Sequence, residues 1–244
     1  MNKNKIIVTT SWDDGHPLDN KLCKILKSYD LPGTIYTPIK NLENEVIVTR
    51  DLIQIAKDFE IGGHTFNHKI LTDISNEEID YELLESKKKL ENNIGKEIIS
   101  FCYPRGKYNK NIMDRVKLAG FKCGRTTELF RTNYLDPFEF HTTIQATNRI
   151  LASKAKQIFE TNEKKLASSL IFSGSLLKDW DIIAKKSFDH ILENGGIWHL
   201  WGHSWEIEKN NDWSKLKNIF EYIKLKSKNN SIEFLTNGEI FKES

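Results

Sequence analysis

The chain has 244 residues, with 36 Lys+Arg against 34 Asp+Glu, 39% hydrophobic residues and 29% charged. That length fits one large domain and buries a sizeable core without covalent staples, and the mixed composition excludes a disordered chain. A formal net charge of +2 gives no broad basic field, so nucleic acid is excluded as the default partner.

In chain order, residues 5–10 (Lys-Ile-Ile-Val-Thr-Thr) read as a buried strand, and Leu18, Leu22, Ile25, Leu26 and Tyr29 follow at helical spacing. Pro32-Gly33 breaks the chain before a second strand at 34–37. Thr49 is placed to cap a helix carrying Leu52, Ile55, Ala56 and Phe59, and Ile61-Gly62-Gly63 ends a short strand. Ser75 and Glu78 form a capping-box pattern that opens a helix to about Asn93, with Gly95 as its stop. A strand at 98–103, a helix at 111–119 closed by Gly120, and a strand at 121–126 come next. Residues 130–148 show no clear period, whereas 151–170 and 179–193 read as helices. Gly195-Gly196 leads into the apolar run 197–201, and a helix over about 213–227 precedes a strand at 232–235. Seven or eight βα units at this length predict an α/β barrel without a linker, a single domain with its core over about 6–240.

The three cysteines, Cys23, Cys102 and Cys123, form no CxxC and cannot all pair, so they are expected as buried thiols of a reducing compartment. The apolar stretch Ile6-Ile7-Val8 is far shorter than the roughly 7–15 residues of a signal core. No run reaches the roughly 18 apolar residues of a membrane span. The expectation is a cytoplasmic protein.

Three segments that follow predicted strands concentrate chemistry, at the strand ends where parallel barrels place their active sites. In Thr10-Ser11-Trp12-Asp13-Asp14-Gly15, two adjacent carboxylates end an apolar strand. They are either a solvated turn or a pair of which a cation neutralises one. In Gly63-His64-Thr65-Phe66-Asn67-His68, two histidines four apart can share one face of a helical turn and one metal ion. The residue after His64 is Thr, so the HExxH pattern and its built-in base are absent. Two histidines with Asp14 leave coordination positions for water and substrate. The same set describes an iron facial triad, but Phe66 stands where that triad's carboxylate usually lies. In the run 196–206, His199 reads as a buried structural histidine. His203, where the apolar run ends, suits protonation of a leaving amine near neutral pH. Trp201 and Trp205 are either sugar platforms or core and rim aromatics.

Together these segments, with Phe101-Cys102-Tyr103-Pro104-Arg105-Gly106-Lys107-Tyr108-Asn109 between the second and third, occur in the order of the polysaccharide deacetylase family, the NodB-homology group of carbohydrate esterases. The resemblance spans about residues 6–240. It implies a deformed (β/α)7 barrel, TIM-barrel-like, and a divalent metal, most often Zn2+. It also implies hydrolysis of N-acetyl or related acyl groups on amino sugars. By position, Asp13 resembles the catalytic base and His203 the general acid, while Asp14, His64 and His68 resemble the metal ligands. Tyr103 and Arg105 fall on the groove wall, where a backbone N–H at the position of Arg105 helps hold the oxyanion. Cys102 stands where the family often carries an arginine that orients the base, and Arg105 or Arg125 is expected to supply that charge. The family's fourth motif has no clear match between Asp136 and Asn148, where His141 is a weak candidate. The implied partner is a carbohydrate, including nucleotide- or lipid-linked amino sugars. Competing readings are a deformylase or amidohydrolase on a non-polymeric substrate, and a non-catalytic carbohydrate-binding barrel.

Overall fold

The computed structural model describes residues 5–134, 136–148 and 151–242, with side chains from residue 156 onward in the last stretch. Residues 1–4, which open the segment searched for a signal, and Leu135 in the stretch without period lie outside it. The sequence builds a curled, all-parallel sheet in the order β5-β4-β3-β2-β1-β7-β6, with β8 pairing β1. The strands are β1 (Ile6–Trp12), β2 (Thr34–Thr37), β3 (Glu60–Gly63), β4 (Ser100–Cys102), β5 (Cys123–Arg125), β6 (Ile144–Gln145), β7 (Gly196–Gly202) and β8 (Glu233–Phe234). Helices α1 (Asp19–Ser28), α2 (Thr49–Ile55), α3 (Asn76–Ile94), α4 (Lys110–Leu118), α5 (Leu151–Glu160), α6 (Lys164–Phe172), α7 (Trp180–Asn194), α8 (Ser204–Lys209), α9 (Trp213–Ser227) and α10 (Asn237–Ile240) connect them. This is the expected deformed (β/α)7 barrel.

The central pair is β1 with β7, in register over all seven residues from Ile6↔Gly196 to Trp12↔Gly202. Both strands are buried along their whole length. Strands covered on both faces are what a parallel sheet requires. One cluster of buried apolar side chains runs from Ile6 to Ile223 and joins the strands to α1 through α9. Cys23, Cys102 and Cys123 are buried free thiols. Among the described residues no helix is long and apolar enough to cross a membrane.

The segment without clear period runs between the two ends of the sheet order. Phe140 N–H donates to Gly124 O at 2.9 Å and Thr126 N–H donates to Phe140 O at 2.9 Å, so the segment rides on β5. A few residues later β6 pairs with β7, Ile144↔Leu200. A chain that changes neighbour within four residues carries no strand period, which is why the pattern was unreadable. The helix expected over 151–170 is two, α5 and α6, because Thr161 turns its hydroxyl to Phe130 O at 2.7 Å and starts a turn before Lys164. Thr49 is the first residue of α2 rather than its cap; Val48 holds that place with no side-chain bond. The capping box of Ser75 and Glu78 is formed as read, and Gly95 ends α3 in the left-handed region.

Candidate active site

The opening strand delivers two carboxylates to one point and turns them apart. Asp13 continues β1, its N–H bonded to Gly202 O at 3.0 Å. Asp14 then takes a left-handed conformation, φ 77, and Gly15 follows at φ 55. A side chain at Gly15 would drive its Cβ to 2.6 Å from the Thr37 methyl, so only glycine fits there. Non-glycine residues at positive φ are uncommon and cost backbone strain. Four of the seven among the described residues, Asp14, Thr65, His68 and Arg105, stand around this site.

Asp14 faces the histidines. Its Oδ1 lies 3.2 Å from His68 Nε2 and 3.8 Å from His64 Nε2. Its Oδ2 accepts from Trp205 Nε1 at 2.9 Å and from Asn44 Nδ2 at 3.3 Å. Burial alone would raise the Asp14 pKa. The His68 hydrogen bond and the charges of His203, His64 and His68 outweigh burial and hold it well below the usual carboxylate range. His64 Nδ1 pairs with Cys102 O at 2.8 Å, which leaves Nε2 as the free ligand nitrogen. Burial, reinforced by His68, pushes the His64 pKa down to about 4, so the ring is neutral at physiological pH, as a ligand must be.

The histidines do not share a helical turn as the four-residue spacing suggested. Residues 64–68 form a loop, with Thr65 at φ 64 and His68 at φ 56. The buried carboxylate of Glu82, on α3, holds this loop: it accepts from Phe66 N at 2.8 Å, Asn67 N at 2.7 Å and Asn67 Nδ2 at 2.7 Å. One ligand atom from each of Asp14, His64 and His68 lies within 4.8 Å of the others, a spacing over which a single cation fits. A second convergent group is Asp13, His64 and Cys102. It is the poorer cradle, because Arg125 already engages Asp13 and burial holds the Cys102 thiol protonated.

Asp13 faces the other way, into a fully buried ion pair with Arg125 Nη2 through Oδ1. Its Oδ2 takes only a weak contact from Cys102 Sγ, at 3.7 Å. Cys102 and Arg125 are register partners on β4 and β5, so the guanidinium reaches Asp13 from the strand beside the expected one. The Arg125 guanidinium also stacks over the Trp201 ring at 4.7 Å. Of the two arginines expected to supply this charge, Arg105 does not: its Nη2 binds both oxygens of Glu43, at 2.6 and 2.7 Å.

His203 follows the end of β7. Its Nδ1 pairs with Glu206 Oε2 at 2.8 Å, an interaction the sequence reading missed; the signal was an acid three residues on, at the first turn of α8. Burial would lower the His203 pKa. The Glu206 hydrogen bond and the charges of Asp13 and Asp14 prevail and raise it.

A cavity of about 590 Å3 opens over these groups, within the size range of small-ligand sites. Asp13, Asp14, His64, His68, Trp201, His203, Trp205 and Arg105 line it. Gln145, Gln157, Asn44 and Glu43 line it too, and nothing in their local sequence marks them. Tyr103 does not belong to the site: it is buried, its hydroxyl donates to Phe138 O at 3.0 Å and its ring stacks on Tyr108. Its N–H is also taken, by Arg125 O at 3.2 Å. His141 bonds Thr126 Oγ1 at 2.8 Å, outside the cavity lining. His199 is buried against Ser11 Oγ at 2.8 Å and stacks on Phe140, as a structural histidine does.

Comparison with known proteins converges on one family. The family model described as polysaccharide deacetylase matches residues 1–124. A chitooligosaccharide deacetylase of Azorhizobium caulinodans is 29% identical over 126 residues, 50% of this chain and 58% of that protein. A peptidoglycan-N-acetylglucosamine deacetylase of Bacillus cereus is 26% identical over 121 residues, 49% and 55% of the two chains. The chain thus spans about half the length of the curated relatives it matches. The solved chitin deacetylase of the fungal pathogen Colletotrichum lindemuthianum superposes with a TM-score of 0.62 at 15% identity. That match covers 100% of this chain and 92% of the other and shows the shared fold. The matched segment contains the strand end with both aspartates and the loop with both histidines, and on these grounds the chain belongs to the polysaccharide deacetylase family.

Proposed function

We propose that this protein hydrolyses the N-acyl group, acetyl in the first instance, of an amino sugar, with a divalent metal held by Asp14, His64 and His68. The observation that carries the reading is the division of labour between two adjacent carboxylates. Asp14 is turned to two histidines, and Asp13 to a buried arginine. Two nitrogens and one carboxylate oxygen are a donor set suited to Zn2+ with positions left for water and substrate. Such an ion, when bound, supplies Lewis acidity toward an acyl oxygen and toward water.

The chain's own groups do the rest. Asp13 takes the proton of the attacking water on Oδ2, the oxygen Arg125 leaves free. His203, whose pKa the Glu206 hydrogen bond helps to raise, gives its proton to the departing amine. Trp201 and Trp205 flank His203 and offer aromatic walls to the sugar face. Arg105, at φ 54 on the cavity wall, presents its backbone N–H toward the acyl oxygen in this scheme.

The test is acetate release from N-acetylated amino sugars, with chelator and with zinc restored. Activity is expected to vanish with chelator and return with the metal. Asp13→Asn is expected to lose at least about 10²-fold in kcat, and His203→Ala to lose activity while keeping its metal content. An active Asp13→Asn enzyme overturns the scheme, since the other carboxylates that line the cavity among the described residues, Asp14 and Glu43, are turned to the histidines and to Arg105.

A further inference from the structure

The segment 38–48 leaves β2 and does not stay over its own strand. Lys40 N–H donates to Phe66 O at 2.7 Å, on the histidine loop after β3. Ile47 N–H donates to Gly15 O at 2.7 Å, on the loop after β1. Asn44 touches Asp14, and Glu43 reaches the loop after β4 through its two bonds to Arg105. The strand order here is β4-β3-β2-β1, so one segment lies across four consecutive strand ends. Glu43 and Arg105 both line the cavity, and their pair closes its wall above the histidine loop. Gln157, from α5, and Lys209, at the end of α8, line the same cavity. A chain of linked sugars needs an open exit on both sides of the reacting unit, and here one side is crossed by backbone.

Resting on the deacylase reading above, we infer that this site takes a mono- or disaccharide-sized amino sugar, or the terminal unit of a chain, and that Glu43 with Arg105 sets that limit by barring internal units of a polymer. The limit lies in the wall that the backbone ties and the Glu43–Arg105 pair form together. The ion pair is half-exposed and contributes as a latch, since exposed pairs hold weakly. A repulsive pair at this point therefore opens the wall.

The experiment is a chain-length series of N-acetylglucosamine oligomers, monomer to hexamer, on the zinc-loaded protein and on Glu43→Gln and Glu43→Lys. For the unaltered protein kcat/KM is expected to fall about tenfold or more beyond the dimer, mainly through KM. Glu43→Lys, which repels Arg105, is expected to raise the hexamer-to-dimer ratio about tenfold, and Glu43→Gln to shift it less. A ratio that is flat or rises with length in the unaltered protein overturns the inference, as does an unchanged ratio in Glu43→Lys. The same oligomers titrated calorimetrically separate the two claims. Short-chain binding without any acetate release removes the deacylase reading and leaves the size limit standing.

Discussion

At Asp13 the arrangement depends on a residue 112 positions further along the chain, on the strand next to the one that carries Cys102. Arg125 is fully buried, and its guanidinium is held between the Asp13 carboxylate and the Trp201 ring. Removing one partner of a buried pair leaves the other charge desolvated, which costs about 3–5 kcal/mol. Arg125→Met is therefore expected to lower unfolding free energy by about that amount. Adding Asp13→Asn is expected to restore a large part, because the orphaned charge goes with it. Denaturant unfolding of the two single variants and the double variant reads this coupling; strictly additive losses would mean that the pair does not act as one unit. This residue also shows where sequence reading reaches its limit. Asp13, Asp14, His64, His68 and His203 stand in short motifs, so their type and order were legible. The positive charge moved from the position of Cys102 to its register partner, and only the β4–β5 pairing decides that Arg125, not Arg105, is the one that arrives.

Among the elements, α3 does more than cover the sheet. Its start and stop were readable from Ser75, Glu78 and Gly95, because caps are local chemistry. Its function was not, because Glu82 lies mid-helix and its three bonds go to a loop fifteen residues earlier. Those bonds hold Thr65 and His68 where non-glycine residues resist going. Groups that orient metal ligands typically matter by 10–100-fold in metal affinity. Glu82→Ala is accordingly expected to weaken zinc binding by roughly that factor, measured by competition with a chromophoric chelator, with the folded barrel retained. Affinity unchanged in Glu82→Ala would show that the loop holds its shape unaided. The same limit explains the missed break between α5 and α6. The apolar period runs on through Thr161, and the turn is set by a bond to Phe130 in a distant segment.

For the whole molecule, one buried carboxyl makes stability depend on pH. Asp19 begins α1 and is fully buried. Ser204 on α8 and His203 face it favourably, Asp14 and Asp13 unfavourably, and burial outweighs them all and pushes its pKa up to about 7 from 3.8. Well below pH 4 the carboxyl is protonated in the folded and unfolded chains alike and contributes no pH dependence. Between about pH 4 and 7 the folded protein keeps a proton that the unfolded chain has released, so stability falls as pH rises, by up to about 1.4 kcal/mol per unit. Above the folded value the whole loss is in place. Asp19→Asn keeps the shape and removes the titration. It is expected to match the unaltered protein near pH 4 and to exceed it by about 2–4 kcal/mol at pH 8, in urea unfolding of the metal-free protein across that range. The same substitution leaves Asp13, Asp14 and the two histidines in place, so metal binding provides the control that the site itself has not moved. A variant less stable than the unaltered protein at pH 8 would mean that Asp19 is ionised in the fold and held by a partner, and that the barrel tolerates a third negative charge behind its paired aspartates.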